Sequence, residues 1–258
     1  MLHCRLLSAP LVAGFLVAGA AFAHAGEPRA VVELFTSQGC SSCPPADKLL
    51  GELANDPSLV ALSMPIDYWD YLGWKDTLAS PANSARQRAY ARARGDRQVY
   101  TPQIVVNGAT HVLGSDRSAV ERAVSVTERN AAVMSTPVSI SFSGNALNVK
   151  VAAGKEHLGG EVWLCPLERS VPVDIGHGEN HGRTVTYHNV VRRWLKLGDF
   201  AGVDAAWSVP LAEILDDNVD GAVAMVQQGS HDKPGIMLGA AYAPVARQTS
   251  EVRGVGEQ

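Results

Sequence analysis

An α/β domain with the element order β-α-β-α-β-β-α, followed by an all-β, sandwich-like domain, is the fold class predicted by three observations on this chain. The opening stretch alternates short β-branched runs with amphipathic helical stripes. A strand closing on Asn107-Gly108 leads through a hairpin partner into a further helix. From Pro137 onward the pattern changes to short alternating strands with glycine-rich turns between them. A chain of 258 residues, 46% apolar, has room for two ordinary domains. Its formal net charge of −4 argues against a nucleic-acid partner.

Residues 1–25 stand apart from both domains. Arg5 lies in a short n-region, residues 6–22 are almost wholly apolar, and Ala21-Phe22-Ala23 and Ala23-His24-Ala25 offer small-residue cleavage sites. The segment reads as a secretory signal peptide. A retained anchor is the alternative, against which stand the shortness of the run and the cleavage pattern that ends it. The expected location is periplasmic or secreted, with no membrane association after cleavage. Processing removes Cys4 and leaves Cys40, Cys43 and Cys165 in an oxidising compartment.

Residues 30–35 (Ala-Val-Val-Glu-Leu-Phe) form the first expected strand, rich in β-branched and aromatic side chains. Cys40-Ser41-Ser42-Cys43 follows. Pro44 and Pro45 then suit a first helical turn, where a missing N–H matters least. Ala46, Leu49, Leu50, Leu53 and Ala54 make one apolar stripe, so the cysteines sit on a strand-to-helix corner. Residues 59–67 read as a second, buried strand, parallel to the first if the helix is a crossover. The loop 68–76 carries Tyr68, Trp69, Tyr71 and Trp74, either a binding surface beside the thiols or a cover for the sheet edge. Residues 84–94 read as a helix with Arg86, Arg88, Arg92, Arg94 and, just beyond it, Arg97, either a solvated face or a surface for an anionic substrate. Residues 100–108 read as a strand ending in the Asn-Gly hairpin signal, with 110–113 as its partner. The last helix of this half begins near Asp116, with Ser118 and Glu121 at capping-box spacing.

The cysteine pair carries the chemistry. Two thiols at C-x-x-C spacing close a disulfide or open as a dithiol, and at a helix N-terminus the amides and dipole favour a thiolate, with pKa values of roughly 3.5–7.5 in such motifs. Cys40, the outer residue, is the expected nucleophile, and Cys43 the resolving thiol. The other readings are a static disulfide pinning the loop and, weaker, a zinc site, since no second C-x-x-C follows.

The element order, with C-x-x-C at the first corner and Thr101-Pro102 opening the third strand, resembles the thioredoxin superfamily. The resemblance implies a cis Pro102 facing the cysteine pair and a residue-101 backbone that pairs with an extended substrate. Thioredoxins also carry a buried acid in the first strand that takes the resolving thiol's proton. Glu33 is the only acid in this strand, one residue further from the cysteines than that pattern has it. A one-residue shift changes the face, so Glu33 fits the role only if the loop is longer. The longer pattern Glu33-Leu34-Phe35-Thr36-Ser37-Gln38-Gly39-Cys40-Ser41-Ser42-Cys43-Pro44-Pro45-Ala46-Asp47, with Asp67-Tyr68-Trp69-Asp70 and Gly73-Trp74-Lys75-Asp76, resembles a secreted bacterial family recognised mainly as a domain of unknown function.

In the second half, residues 138–142 and 146–151 flank Ser143-Gly144-Asn145 as a hairpin, and 161–164, 185–191 and 222–226 add strands. The expected division is a signal peptide at 1–25, a thioredoxin-like domain at 26–134, a sandwich-like domain at 135–250 and a tail at 251–258. Cys165 reads as a buried small hydrophobe, or as a third thiol. The tract 176–188 holds His177, Glu179, His181 and His188. It reads as turn architecture or as a weak copper or zinc candidate, and its Gly-x-Gly is no dinucleotide fingerprint. Glu179, Asn180, Gly182 and Thr184 resemble a recurring motif of the same secreted family.

The expected function is a thiol–disulfide oxidoreductase acting on protein thiols or disulfides, using Cys40 and Cys43 with Thr101, Pro102 and Glu33, and no cofactor or bound metal. A non-catalytic binding protein with a permanent disulfide is the competing reading, and a copper-handling protein the third.

Overall fold

Ala30–Thr36 forms β1, and all seven of its residues are buried. Alternation along the strand divides them between two cores. Ala30, Val32 and Leu34 pack with Ala46, Leu49, Leu50 and Leu53 of α1 (Pro44–Leu53) and with Val120, Ala123 and Val124 of α3 (Arg117–Thr127). Val31 and Phe35 face the other side, toward Tyr90 of α2 (Pro81–Arg94). Burial on both faces is why this strand reads as a continuous apolar run. The computed structural model describes residues 27–216 and 218–245, so the expected leader and tail lie outside the described residues.

β2 (Leu59–Pro65) runs parallel to β1, from Ala30 opposite Leu59 to Thr36 opposite Pro65. β3 (Gln103–Val106) lies antiparallel on the other side of β1, and β4 (Thr110–Leu113) pairs with β3 through a turn in which Asn107 and Gly108 both take positive φ, as an Asn-Gly hairpin requires. α2 starts earlier than its apolar pattern suggests, because Ser80 accepts a hydrogen bond from Ala82 N and Pro81 occupies the first turn. The cap of α3 is Asp116, whose Oδ1 accepts from Ala119 N at 2.9 Å; the Ser118 hydroxyl donates to that same carboxylate instead of capping.

The second half is β-rich. β5 (Val138–Ser143), β6 (Ala146–Val151) and β10 (Ala205–Pro210) form a three-stranded sheet in the order β10-β6-β5. β7 (Gly160–Asp174), β8 (Thr184–Val191), β9 (Leu195–Phe200), β11 (Gly221–Ser230) and β12 (Lys233–Pro244) join the sheet of the first half, with the four-residue α4 (Leu211–Ile214) between β10 and β11. The result is a mixed α/β fold with one nine-stranded sheet, ordered β12-β11-β7-β8-β2-β1-β3-β4 with β9 beside β7. The small sheet packs on this large one through Leu147, Val149 and Val151 against Val162, Leu164, Ala222 and Ala224.

The large sheet does not stop near residue 134. β2 and β8 meet in parallel at Ser63 and Val190, and Asn189 Nδ2 donates to Ala61 O at 3.0 Å. Met237 N donates to Asn107 O at 2.8 Å, so β12 also grips the β3–β4 turn.

The arginine helix departs from a solvated face in part at Arg94, whose side chain is 16% exposed, and fully at Arg86. Arg86 is 2% exposed: its Nε donates to Glu33 Oε1 at 2.6 Å and its Nη2 to Tyr90 OH and Gln227 Oε1. Its guanidinium also lies 4.2 Å from the centre of the Trp194 ring. Burial opposes the charge on Arg86, and the Glu33 carboxylate and the Tyr90 oxygen together more than restore it.

Candidate functional site at the β1–α1 corner

β1 ends at Thr36, and Ser37, Gln38 and Gly39 carry the buried chain to the cysteines. The loop is held by hydrogen bonds along its length. Asp76 Oδ2 accepts from Gln38 N at 2.8 Å, Gln38 Oε1 accepts from Trp74 Nε1 at 2.8 Å, and Ser37 O accepts from Cys40 N at 3.1 Å. Cys40 and Cys43 form a disulfide across a Cα separation of 5.4 Å. Cys40 is 4% exposed and Cys43 fully buried, while Ser41 and Ser42 face solvent.

The helix N-terminus offers a thiolate less than the spacing suggests. Cys43 is the N-cap, and prolines fill the next two positions, which therefore have no N–H to give. Ala46 N and Asp47 N both donate to Cys43 O. The polar group beside the Cys40 sulfur is the Ser42 hydroxyl, 3.5 Å away.

Thr101 and Pro102 lie near this corner, joined by a cis peptide bond. Thr101 Oγ1 accepts from Trp69 Nε1 at 2.7 Å, and Trp69 in turn packs closely over Gly39. Pro102 and Ala46 of α1 both abut Gly114. The aromatic loop is divided: Trp69 covers the cysteine loop, whereas Tyr71, stacked on it at 6.3 Å, is 76% exposed.

Glu33 is not brought to the cysteines. It shares the Val31 and Phe35 face of β1, opposite α1, and its second oxygen accepts from Tyr90 OH at 2.6 Å. This is the consequence of strand parity: an acid one position out of phase belongs to the other core.

The acid on the cysteine side is Asp47, which its sequence pattern does not single out. It lies one helical turn after Cys43, is buried, and neither carboxylate oxygen has a hydrogen-bond partner. Thr36 Oγ1 nearby favours its ionisation but is itself without a partner at bonding distance. Burial pushes the Asp47 carboxyl up to about 8, and the Asp76 charge adds to the effect. Burial also raises Asp76, to about 6, against the N–H donors of Gln38 and Leu78. An acid four residues after the second cysteine, within an apolar stripe, was the available signal. It reads more readily as an ordinary first-turn carboxylate.

The tip of the β7–β8 hairpin completes the surroundings. Asn180, 1% exposed, donates from Nδ2 to Gln38 O at 2.9 Å and to Cys40 O at 2.8 Å. His177 and His181 sit side by side on this tip, 6.2 Å between ring centres, whereas His188 packs against Gly51 of α1. Among the described residues no three His, Cys, Asp or Glu side chains converge as a metal site. Cys165 is buried on β7 in the core that contains Arg86, and burial raises its thiol well above the ordinary range.

The sequence pattern of the DUF1223 family, described as of unknown function, matches residues 31–227. The chain belongs to the DUF1223 family. The matched span runs from β1 to Gln227, so the family pattern takes in the cysteine corner, Asn180 and both halves of the large sheet. This DUF1223 chain is similar to the protein AGR_C_4864 from Agrobacterium tumefaciens, whose crystal structure superposes with a TM-score of 0.77 at 32% identity, covering 87% of this chain and 97% of that one. HBP35 of Porphyromonas gingivalis shares the fold at a TM-score of 0.57, with 13% identity over 90% of this chain and 80% of its own. No curated protein matches.

Proposed function

We propose that this DUF1223 protein is a thiol–disulfide oxidoreductase built on a thioredoxin-like first half, working in the periplasm or outside the cell on protein thiols or disulfides. The observation that carries the reading is the pairing of a C-x-x-C disulfide at a strand-to-helix corner with a buried, unpartnered acid one helical turn away. In the reducing direction the Cys40 thiolate attacks a partner disulfide, forming a mixed disulfide and releasing one partner thiolate. The Cys43 thiol then gives its proton to the Asp47 carboxylate and attacks Cys40 Sγ, which frees the second partner thiolate. Two electrons pass from the cysteine pair to the partner, and the reverse sequence oxidises it. An acid displaced to about 8 matches a thiol of ordinary pKa closely enough to exchange a proton with it. Ser42 and the helix dipole supply what stabilisation the Cys40 thiolate receives.

A second reading, a binding protein with a permanently closed disulfide, is favoured by the 4% exposure of Cys40. The reduction potential of the Cys40–Cys43 pair separates the two. Differential alkylation and mass spectrometry across a graded thiol–disulfide buffer should give a midpoint between about −120 and −270 mV, the range of exchange catalysts. A midpoint below about −300 mV makes the pair a structural staple and leaves the binding-protein reading standing.

A further inference from the structure

Exchange requires a thiolate to reach a sulfur, and this corner is nearly closed: Cys43 is fully buried and Cys40 keeps only 4% of its surface exposed. Some neighbouring segment has to move before a partner can engage. The segments packed around the corner are β1, α1, the Trp69 loop and the tip of the β7–β8 hairpin. The first two belong to the core, and Trp69 is tied to Thr101. The hairpin tip is different.

Residues 176–183 are exposed with the single exception of Asn180. Gly178 and Gly182, two positions to either side of it, both take positive φ, at 79° and 77°. These are backbone conformations that glycine adopts without penalty, so the tight turns on either side of the anchor carry no strain. Asn180 gives both hydrogens of its amide to the cysteine loop, one to Gln38 O and one to Cys40 O. Its Oδ1 accepts from Arg183 Nη1 at 3.3 Å, which fixes the direction in which the amide points. Beyond this anchor, the tip touches the first half through Trp74, which packs against Gly176, Gly178 and His177. An exposed turn held to the first half by one buried polar side chain and the packing of one tryptophan is the kind of segment that opens locally while the core stays folded.

We infer that the β7–β8 tip is a latch over the cysteine corner and that Asn180, bonded to the Cys40 carbonyl from 140 residues away, is the residue that holds it shut and sets which partners gain access to Cys40. The inference rests on the thiol–disulfide reading. Asn180 touches no reacting atom; it is a positioning residue acting through the backbone of the loop. With the latch closed, the disulfide is protected from casual thiols. A partner able to displace the amide and satisfy the two freed carbonyls gains entry.

A latch and a mere stabiliser leave different kinetic traces. A latch slows arrival and departure alike, so its removal accelerates reduction and reoxidation together and leaves their ratio unchanged. A residue that only steadies the oxidised form changes that ratio. The test uses the full mature chain with Asn180→Ala and Asn180→Asp; the second keeps the acceptor for Arg183 while removing both donors. Rates of reduction by glutathione and of reoxidation by oxidised glutathione are followed by quenching and mass spectrometry.

Both variants should speed both directions by about tenfold or more, since each lost neutral hydrogen bond contributes up to about a factor of ten, with an unchanged midpoint potential. Unaltered rates, or acceleration in one direction with a shifted midpoint, overturn the latch. If the unsubstituted pair proves too reducing for glutathione to open, the oxidoreductase reading fails by itself. The latch is then judged on the rate of reduction by dithiothreitol, which rises in both variants if Asn180 controls access and stays the same if it does not.

Discussion

Asp47 is the residue whose environment has the clearest thermodynamic consequence. Its carboxyl has an ordinary value of 3.8 when exposed and about 8 in the folded chain, because ionisation would leave an unsolvated charge without donors. Between about pH 4 and about pH 8 the unfolded chain releases this proton and the folded chain retains it, so stability falls as pH rises through that window. Asp47→Asn abolishes the titration. Denaturant unfolding of the two proteins should therefore give similar stabilities near pH 4.5 and diverge above it, with the variant ahead by on the order of a few kcal/mol at pH 8. Asp76 contributes a slope of the same sign to both proteins, and its coupling to Asp47 is part of the difference that the substitution removes. A constant gap across the range would mean that the folded chain does not hold the Asp47 carboxyl above its unfolded value, and the match between Asp47 and the Cys43 thiol would fall with it.

Elements show where local pattern suffices and where it does not. β1, α1, β2, β3, β4 and α3 were legible because each carries its period within a few residues: continuous burial in β1, the 46-49-50-53 stripe in α1, Asn-Gly between β3 and β4. The first turn of α2 was missed because Ser80 and Pro81 act as cap and first turn ahead of the helical pattern. β7 was visible only as residues 161–164, since Pro166, Arg169 and Ser170 interrupt a strand that runs on to Asp174. β12 was invisible, its Pro234, Gly235 and Gly239 reading as turn formers. In the site the cysteines were plain from spacing, while Asn180 acquires its place only from partners 140 and more residues distant. Glu33 went to the other core by strand parity, which no local pattern could decide without the length of the following loop. The join between elements at Gly114 permits a further test. A Cβ there would stand 2.8 Å from Leu34 Cδ1, 3.1 Å from Pro102 Cβ and 3.3 Å from Ala46 Cβ, all in the packed layer between β1, α1 and the Thr101-Pro102 segment. Gly114→Ala should cost about 1–3 kcal/mol in urea unfolding, as overpacking does. A loss below about 0.5 kcal/mol would mean that this junction yields freely and does not hold Pro102 against α1.

At the scale of the molecule, two patterns that read as separate domains share one sheet and one buried polar network. Glu33 on β1, Arg86 and Tyr90 on α2 and Gln227 on β11 close a ring of hydrogen bonds, with Gln227 Nε2 donating to both Tyr90 OH and Gly235 O. Trp194, stacked on Arg86, donates to Asn83 of α2 at 3.2 Å. Charges buried in this way add little net stability over apolar packing, yet removing one member strands the rest. Arg86→Met should therefore cost roughly 3–5 kcal/mol by leaving Glu33 buried without its cation, and adding Glu33→Gln should restore part of it. The spatial reach of the loss is the informative part. If the continuous sheet makes the halves one cooperative unit, hydrogen exchange should show β1 and β2 amides and β7 and β11 amides losing protection by the same free energy in the Arg86→Met protein. Loss confined to β1 and α2 would instead mean that the halves unfold separately, with the β2–β8 contact at Ser63 and Val190 too short to carry stability between them.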